Sequence, residues 1–184
     1  MEGRELTYLD NAATTFPKPR RVIERMNDLM QNGGGNPGRS SHVLAMKASE
    51  TVFECREELS DFFGAAGPEQ VCFSLNATSS LNFCIKGLLH RGDHVLISDM
   101  EHNAVIRPIN AAAREADGTF SIAETQSDDD ETTEAFAKLI TPRTKAIVCT
   151  AASNVTGKIM PYAKLGRLCS EKGICFIVDA AQGA

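Results

Sequence analysis

The chain has 184 residues, 42% hydrophobic and 23% charged, a balance that fits an ordinary globular protein with a sizeable core. Its net charge of −5 comes with acids and bases interspersed, which excludes a nucleic-acid footprint and reads as solubility. No run approaches membrane-spanning length, Met1-Glu-Gly-Arg-Glu5 has no apolar signal core, and the six cysteines have neither a CxxC pair nor a regular spacing. The expectation is a cytoplasmic protein with reduced thiols, no membrane contact and no metal site. The glycosylation patterns at Asn76-Ala-Thr78 and Asn154-Val-Thr156 then read as chance matches.

In chain order, a short arm (Tyr8 to Thr15) precedes a helix opened by Pro17 and Pro19. Val22, Met26 and Leu29 form its apolar stripe, and Asn32-Gly-Gly-Gly35 ends it. A loop, Asn36 to Ser41, leads to a long helix in which Leu44, Ala48, Val52, Cys55, Leu59 and Phe62 recur at helical spacing until Gly64. Alternation then predicts a strand over Val71–Leu75, a helix over Thr78–Leu89, a strand over His94–Ser98 and a helix from Asn103 to Ala116. Phe120–Ala123 is a strand, the acidic Ser127–Glu131 a loop, and Glu134–Leu139 a helix. Lys145–Thr150 is a strand, Tyr162–Glu171 a helix, and Ile174–Asp179 a final buried strand. Strands separated by helices imply parallel βαβ units and an α/β, doubly wound sheet; strand order is not readable from the pattern.

Gly33-x-Gly35-x-x-Gly38 matches the dinucleotide fingerprint in letters only. A helix pattern precedes it and Pro37 interrupts it, whereas the fingerprint needs a strand before and a helix opening within. Ser74-Leu-Asn-Ala-Thr-Ser-Ser80 joins a strand to a helix, where backbone N–H groups and the Thr78 and Ser79 hydroxyls suit either a phosphate or simple capping by Thr or Ser. His102 follows the second strand, placed to stack on a planar ring or to cap a helix. Asn154 brings an amide to the same edge after the fourth strand, in a loop that also reads as a plain turn. Asp179, at the tip of the last strand with Gln182 close behind, is the strongest single signal. A carboxylate there is costly unless it meets a cation or several donors, and ligands bind at that edge of such sheets. Thr78, His102, Asn154, Asp179 and Gln182 each follow a strand and are expected on one rim, an arrangement that suits pyridoxal 5′-phosphate (PLP).

Six motifs in order carry a resemblance over nearly all of the chain. They are Tyr8-Leu-Asp-Asn-Ala-Ala-Thr-Thr15, Asn36-Pro-Gly-Arg-Ser-Ser-His42, Asn76-Ala-Thr-Ser-Ser-Leu-Asn82, Glu101-His-Asn103, Ser153-Asn-Val-Thr-Gly157 and Asp179-Ala-Ala-Gln182. The chain resembles the class V aminotransferase-fold PLP enzymes, specifically the cysteine desulfurases and selenocysteine lyases. The resemblance implies an aspartate-aminotransferase-like large domain over residues 17–184, incomplete at its C-terminal side, behind an arm at 1–16. It implies that Ala77 and Thr78 clamp the phosphate and that His102 stacks on the pyridine ring. Asn154 and Gln182 flank the ring hydroxyl and the substrate, Asp179 partners the ring nitrogen, and Asn11, Ala12 and Ala13 line the substrate pocket. Where the branch resembled in Ser153–Gly157 often carries a His two residues before the Ser, this chain has Ala151.

The same resemblance implies an activity for the complete enzyme: sulfur is removed from L-cysteine, leaving alanine and an enzyme persulfide. A homodimer and a sulfur-acceptor protein are the implied partners. The anchoring lysine lies shortly beyond the Asp-x-x-Gln motif in the family. None of the lysines at 18, 47, 86, 138, 145, 158, 164 and 172 matches that position, and none of the six cysteines is the expected nucleophile. The chain is therefore expected to be an N-terminal fragment, inactive alone, that holds PLP without a covalent bond and self-associates through an exposed sheet edge. Selenocysteine lyase, a transaminase of the same fold, and a non-enzymatic folding or dimerisation unit remain as alternatives.

Overall fold

The computed structural model describes residues 6–39, 41–115 and 117–184. The expectations that fall on residues 1–5, Ser40 and Ala116 lie outside these. The chain divides into two compact units, one up to Phe73 and one from Ser74 to Ala184.

The first unit holds α1 (Arg20–Asn32), α2 (Val43–Phe63) and a 3-10 turn at Pro68–Gln70. Pro19 precedes α1, and the Gly33 N–H closes it on the Leu29 carbonyl at 2.9 Å. His42 caps α2, its Nδ1 accepting from the Ala45 N–H at 3.3 Å, and Gly64 ends it in the left-handed region at φ 65°. Two glycines of the rejected fingerprint have backbone duties. A Cβ on Gly35 would stand 2.3 Å from the backbone of Leu44 and Ala45, and Gly38 sits at φ +78°. The predicted apolar stripe of α1 stays exposed at Val22, Met26 and Leu29. The strand expected at Val71–Leu75 does not form: no ladder joins it, and Phe73 and Leu75 are exposed. Alternation makes a strand only where a neighbouring edge accepts it, and no described residue supplies one.

The second unit runs α3 (Ala77–Leu88), β1 (His94–Ser98), α4 (Asn103–Glu115), β2 (Thr119–Ala123), α5 (Asp129–Leu139), β3 (Thr144–Thr150), α6 (Tyr162–Lys172) and β4 (Cys175–Asp179). The four strands are all parallel, in the order β2-β1-β3-β4. Side chains alternate across the sheet and build a core on each face. Val95, Ile97 and Val148 pack with Leu81, Ile85, Val105 and Ile109 of α3 and α4. Leu96, Ile147 and Cys149 pack with Phe136 of α5 and Leu165 and Cys169 of α6.

Two expectations in this unit need correction. The acidic segment read as a loop starts α5. Asp128 is its N-cap, accepting from the N–H groups of Asp130 and Glu131, and three acids fill the first turn where the helix dipole favours them. The last strand, expected to be buried, is an edge strand. Among the described residues only β3 flanks it, so Cys175 and Val178 are exposed and, of its five residues, Asp179 alone is buried. Among the described residues no helix is long and apolar enough to cross a membrane.

The strand order places the functional edge. From β1 the chain leaves toward β2, and from β3 it leaves toward β4, so the loops after β1 and β3 diverge. That divergence is the topological switch point at which open α/β sheets bind ligands.

Candidate functional site

The start of α3 supplies the first part of the site. Asn76 is its N-cap, the side-chain carbonyl accepting from the Ser79 N–H at 2.9 Å. The residue that caps is thus Asn76, neither of the hydroxyls considered from sequence. With Ser79 N–H so occupied, the N–H groups of Ala77 and Thr78 stand at the first helical positions, where the backbone ladder has no acceptor for them. Thr78 adds an exposed hydroxyl, and an anion is favoured at such an end. Thr78 does not follow a strand, because Val71–Leu75 forms none.

His102 satisfies both of its sequence readings at once. Its Nδ1 accepts from the Ala104 N–H at 3.1 Å and its carbonyl from Val105 and Ile106, so it caps α4 while the ring stays exposed at the rim. With Nδ1 an acceptor, the neutral ring carries its proton on Nε2. His102 belongs to two clefts. One, of about 420 Å³, also takes in Thr78, Asn82, Lys86 and Arg107, so two cations share the cleft with Thr78. The other, of about 490 Å³, lies at the switch point between the loops after β1 and β3, with Glu101 and Asn154 among its lining residues.

Asn154 stands exposed on a loop closed by an antiparallel bridge between Ala152 and Ile159. The loop's own backbone is pinned by buried Ser153, whose Oγ accepts from the N–H groups of Val155 and Thr156, each at 3.3 Å. Asp179 is 7% exposed at the tip of β4. Its Oδ1 accepts from the Ala181 N–H at 3.1 Å, and its carbonyl accepts from Ala151 N–H at 2.8 Å. Gln182 is exposed in the turn that follows, where Gly183 N–H reaches the Ala180 carbonyl. The structure thus brings Thr78, His102 and Asn154 together around two adjoining clefts. Asp179 and Gln182 are at the same edge of the sheet but line neither cleft. Asn11, Ala12 and Ala13 form a turn in the first unit, with Asn11 Oδ1 accepting from the Phe16 N–H at 3.2 Å.

Sequence reading passed over Glu101 as a site residue. It is 8% exposed, and burial raises its carboxyl to about 7 against opposing hydrogen bonds from Ser98 and Thr150. Its sequence signal is its place beside His102 in the Glu101-His-Asn103 motif. The buried thiols are poor nucleophiles. Burial, then the Glu101 charge, pushes Cys149 far up, and burial pushes Cys169 up to about 11. Among the described residues no group of three or more His, Cys, Asp or Glu is placed to hold a metal ion.

The donor set fits PLP. The start of α3 suits a phosphate, the buried Asp179 carboxylate suits a pyridinium nitrogen, and the exposed His102 ring offers a flat partner. A parallel sheet with these groups on its C-terminal edge is the architecture of the aminotransferase-like enzymes.

The family model described as aminotransferase class-V matches residues 7–184, and the chain belongs to that family. It is 28% identical, along its whole length, to a probable cysteine desulfurase of Synechocystis, of which it covers 44%. It is 34% identical over 95% of its length to the cysteine desulfurase IscS of Dechloromonas aromatica, again covering 44% of that protein. Among solved structures, the apo cysteine desulfurase of Thermococcus onnurineus superposes with a TM-score of 0.82 at 28% identity, over 95% of this chain and 44% of that one. SspA in complex with cysteine gives 0.83 at 28% identity, over 97% and 51%. A C-DES mutant with glycine linked to its PLP cofactor shares the fold at 22% identity and a TM-score of 0.70. The chain spans about half or less of the length of the relatives it matches.

Proposed function

We propose that this chain is the cofactor-holding part of a PLP-dependent cysteine desulfurase that takes sulfur from L-cysteine and leaves alanine. The observation that carries the reading is the buried Asp179 carboxylate at the tip of β4, on the same sheet edge as the switch-point cleft that His102 and Asn154 line. The names of the relatives support the substrate.

Bound PLP would supply an electron sink for the substrate's α-carbon. The protein's part is to hold and tune it. The N–H groups of Ala77 and Thr78, with the Thr78 hydroxyl, bind the phosphate at the start of α3. The His102 ring would offer its face to the pyridine ring, in an orientation fixed by its capping bond to Ala104 N–H. Asp179 keeps the proton on the pyridine nitrogen, since a buried carboxylate stabilises the cation it faces. Asn154 and Gln182 hold the ring hydroxyl and the substrate, and Asn11, Ala12 and Ala13 are carried to the substrate side by resemblance alone. A persulfide-forming cysteine, an anchoring lysine, a dimer partner and a sulfur acceptor complete the reading. The exposed thiols of Cys55, Cys72, Cys84 and Cys175 fit a reducing compartment.

Adding PLP to the purified chain, with and without borohydride, tests the reading. The expected result is saturable binding with no stoichiometric reduced adduct, together with a reducible band in a chain extended to the relatives' length. A stoichiometric adduct on the present chain would make one of its own lysines the anchor and overturn the site alignment. No cofactor band in either form would overturn the PLP reading.

A further inference from the structure

Glu101 has no part in the mechanism above, yet it sits among the strand tips that form the rim. Its Oε1 accepts from the Ser98 hydroxyl at the end of β1 and from the Thr150 N–H, at 2.8 Å, at the end of β3. Thr150 extends the connection: its Oγ1 donates to the Ala152 carbonyl at 2.8 Å and lies 3.4 Å from the Asp179 carbonyl. Thr150 and Asp179 are also register partners in the β3–β4 ladder. One carboxyl therefore ties β1 to β3 directly, and to β4 through Thr150. The residue after it is His102.

The second oxygen of this carboxyl is unusual. Oε2 is buried and has no hydrogen-bond partner among the described residues, while the residue as a whole is 8% exposed and lines the switch-point cleft. Among the described residues, the titratable groups that act on it from the strands offer no cation. Asp179 stands on β4 and the buried Cys149 thiol on β3. On its own loop, Asp99 is bonded to Thr125 and the His102 ring is exposed with Nδ1 in its cap. An ionised Glu101 would leave a charged oxygen buried without a donor, beside a second carboxylate. The neutral acid, with its proton on Oε2, costs far less.

We propose that Glu101 is a positioning residue whose neutral acid form locks the His102 loop onto the tips of β1 and β3, holding His102 and Asp179 in the arrangement that receives the cofactor ring. Ionisation breaks the lock, because the carboxylate must then reach water. The inference rests on the PLP reading for its ligand and on Glu101, Ser98 and Thr150 for its geometry. With the carboxyl titrating at about 7, the locked fraction falls from about nine-tenths at pH 6 to about one-tenth at pH 8, and apparent affinity falls about tenfold with it.

The test uses pyridoxamine phosphate, which cannot form an imine with surface lysines. It is titrated calorimetrically into the chain and into Glu101→Gln at both pH values, with thermal unfolding followed across the same range. Gln mimics the neutral acid, so the variant should bind as the native chain does at the lower pH. The native chain should then lose about ten times more affinity than the variant on going to the higher pH. Equal pH dependence in the two proteins would overturn the proposal. Absence of binding by the native chain at either pH would overturn the PLP reading, and the unfolding profiles would still decide the lock. A native midpoint that falls with rising pH relative to the Gln variant supports it, and superimposable profiles overturn it. Should Glu101→Gln not fold, a carbon-13 carboxyl titration of the native chain decides: a midpoint near neutrality supports the lock, and one in the ordinary carboxylate range overturns it.

Discussion

The two ends of the parallel sheet each bury a titratable side chain and treat it differently. At the N-terminal end, His94 is 4% exposed, and both ring nitrogens are paired, Nδ1 with Thr144 Oγ1 at 2.8 Å and Nε2 with Ser121 Oγ at 3.0 Å. Both partners are hydroxyls that can donate or accept, so the neutral ring is satisfied in either tautomer. At the C-terminal end, Glu101 is nearly as buried and keeps one oxygen without a partner. A fully paired buried group belongs to the fold, and removing its partners costs stability. A half-paired one beside an open cleft marks a place the fold keeps for something else.

Variants at the two ends should separate binding from stability, and the largest effect belongs to the rim. On the PLP reading, Asp179→Ala removes the carboxylate proposed to face the cofactor's ring nitrogen, so pyridoxamine phosphate affinity should fall about a thousandfold by calorimetry, while His94 variants leave it unchanged.

The pH dependence of stability comes next, and the two ends have opposite signs. The Glu101 carboxyl is raised from 4.5 to about 7 in the folded chain. Between those values the folded state keeps a proton that the unfolded chain has lost, so stability falls as pH rises, by about 3 kcal/mol in all. His94 is lowered from 6.5 by burial and then by Arg143. Below 6.5 the unfolded chain takes up a proton that the folded chain resists, so this contribution is lost as pH falls. Denaturant unfolding of Glu101→Gln should remove a fall in stability between about pH 4.5 and 7, and His94→Gln an opposing fall below pH 6.5. The two variants thus change the slope with opposite sign, and changes of the same sign would break the comparison.

His94→Ala leaves the Thr144 and Ser121 hydroxyls short of a partner and should cost about 2 kcal/mol, read by thermal unfolding with cofactor affinity unchanged. Asn76→Ala, which removes the cap of α3, should cost about 1 kcal/mol. Because it also loosens the start of the helix that carries Thr78, it should weaken binding slightly where His94→Ala does not.

Much of this arrangement was legible in the letters. Gly64 stops its helix in left-handed geometry, as glycine after a periodic run implies. The apolar runs at His94–Ser98 and Lys145–Thr150 became the central strands, since each is flanked on both sides. Asp179 announced itself because a carboxylate closing an apolar run has few explanations. What escaped was set by neighbours instead of local pattern. Among the described residues, Val71–Leu75 alternates like a strand but no edge accepts it, and β4 is apolar up to Asp179 yet flanked only by β3. The acids at 128–131 look like a solvated loop until one of them caps the helix that the others begin. Glu101 looks like any acid before a helix. Its burial depends on Ser98 and Thr150, and Thr150 is 49 residues away in sequence. The orphan oxygen is therefore invisible to any local reading.

The central claim is that Asp179 holds a proton on the cofactor's ring nitrogen. Pyridoxamine phosphate labelled with nitrogen-15 in the ring, bound to the native chain and to Asp179→Asn, reports that proton directly by NMR. The account predicts a protonated pyridinium shift in the native complex that persists well above the pH at which the free cofactor loses it, and a neutral shift or no binding in the variant. A native complex whose ring nitrogen titrates as it does in free solution would contradict it.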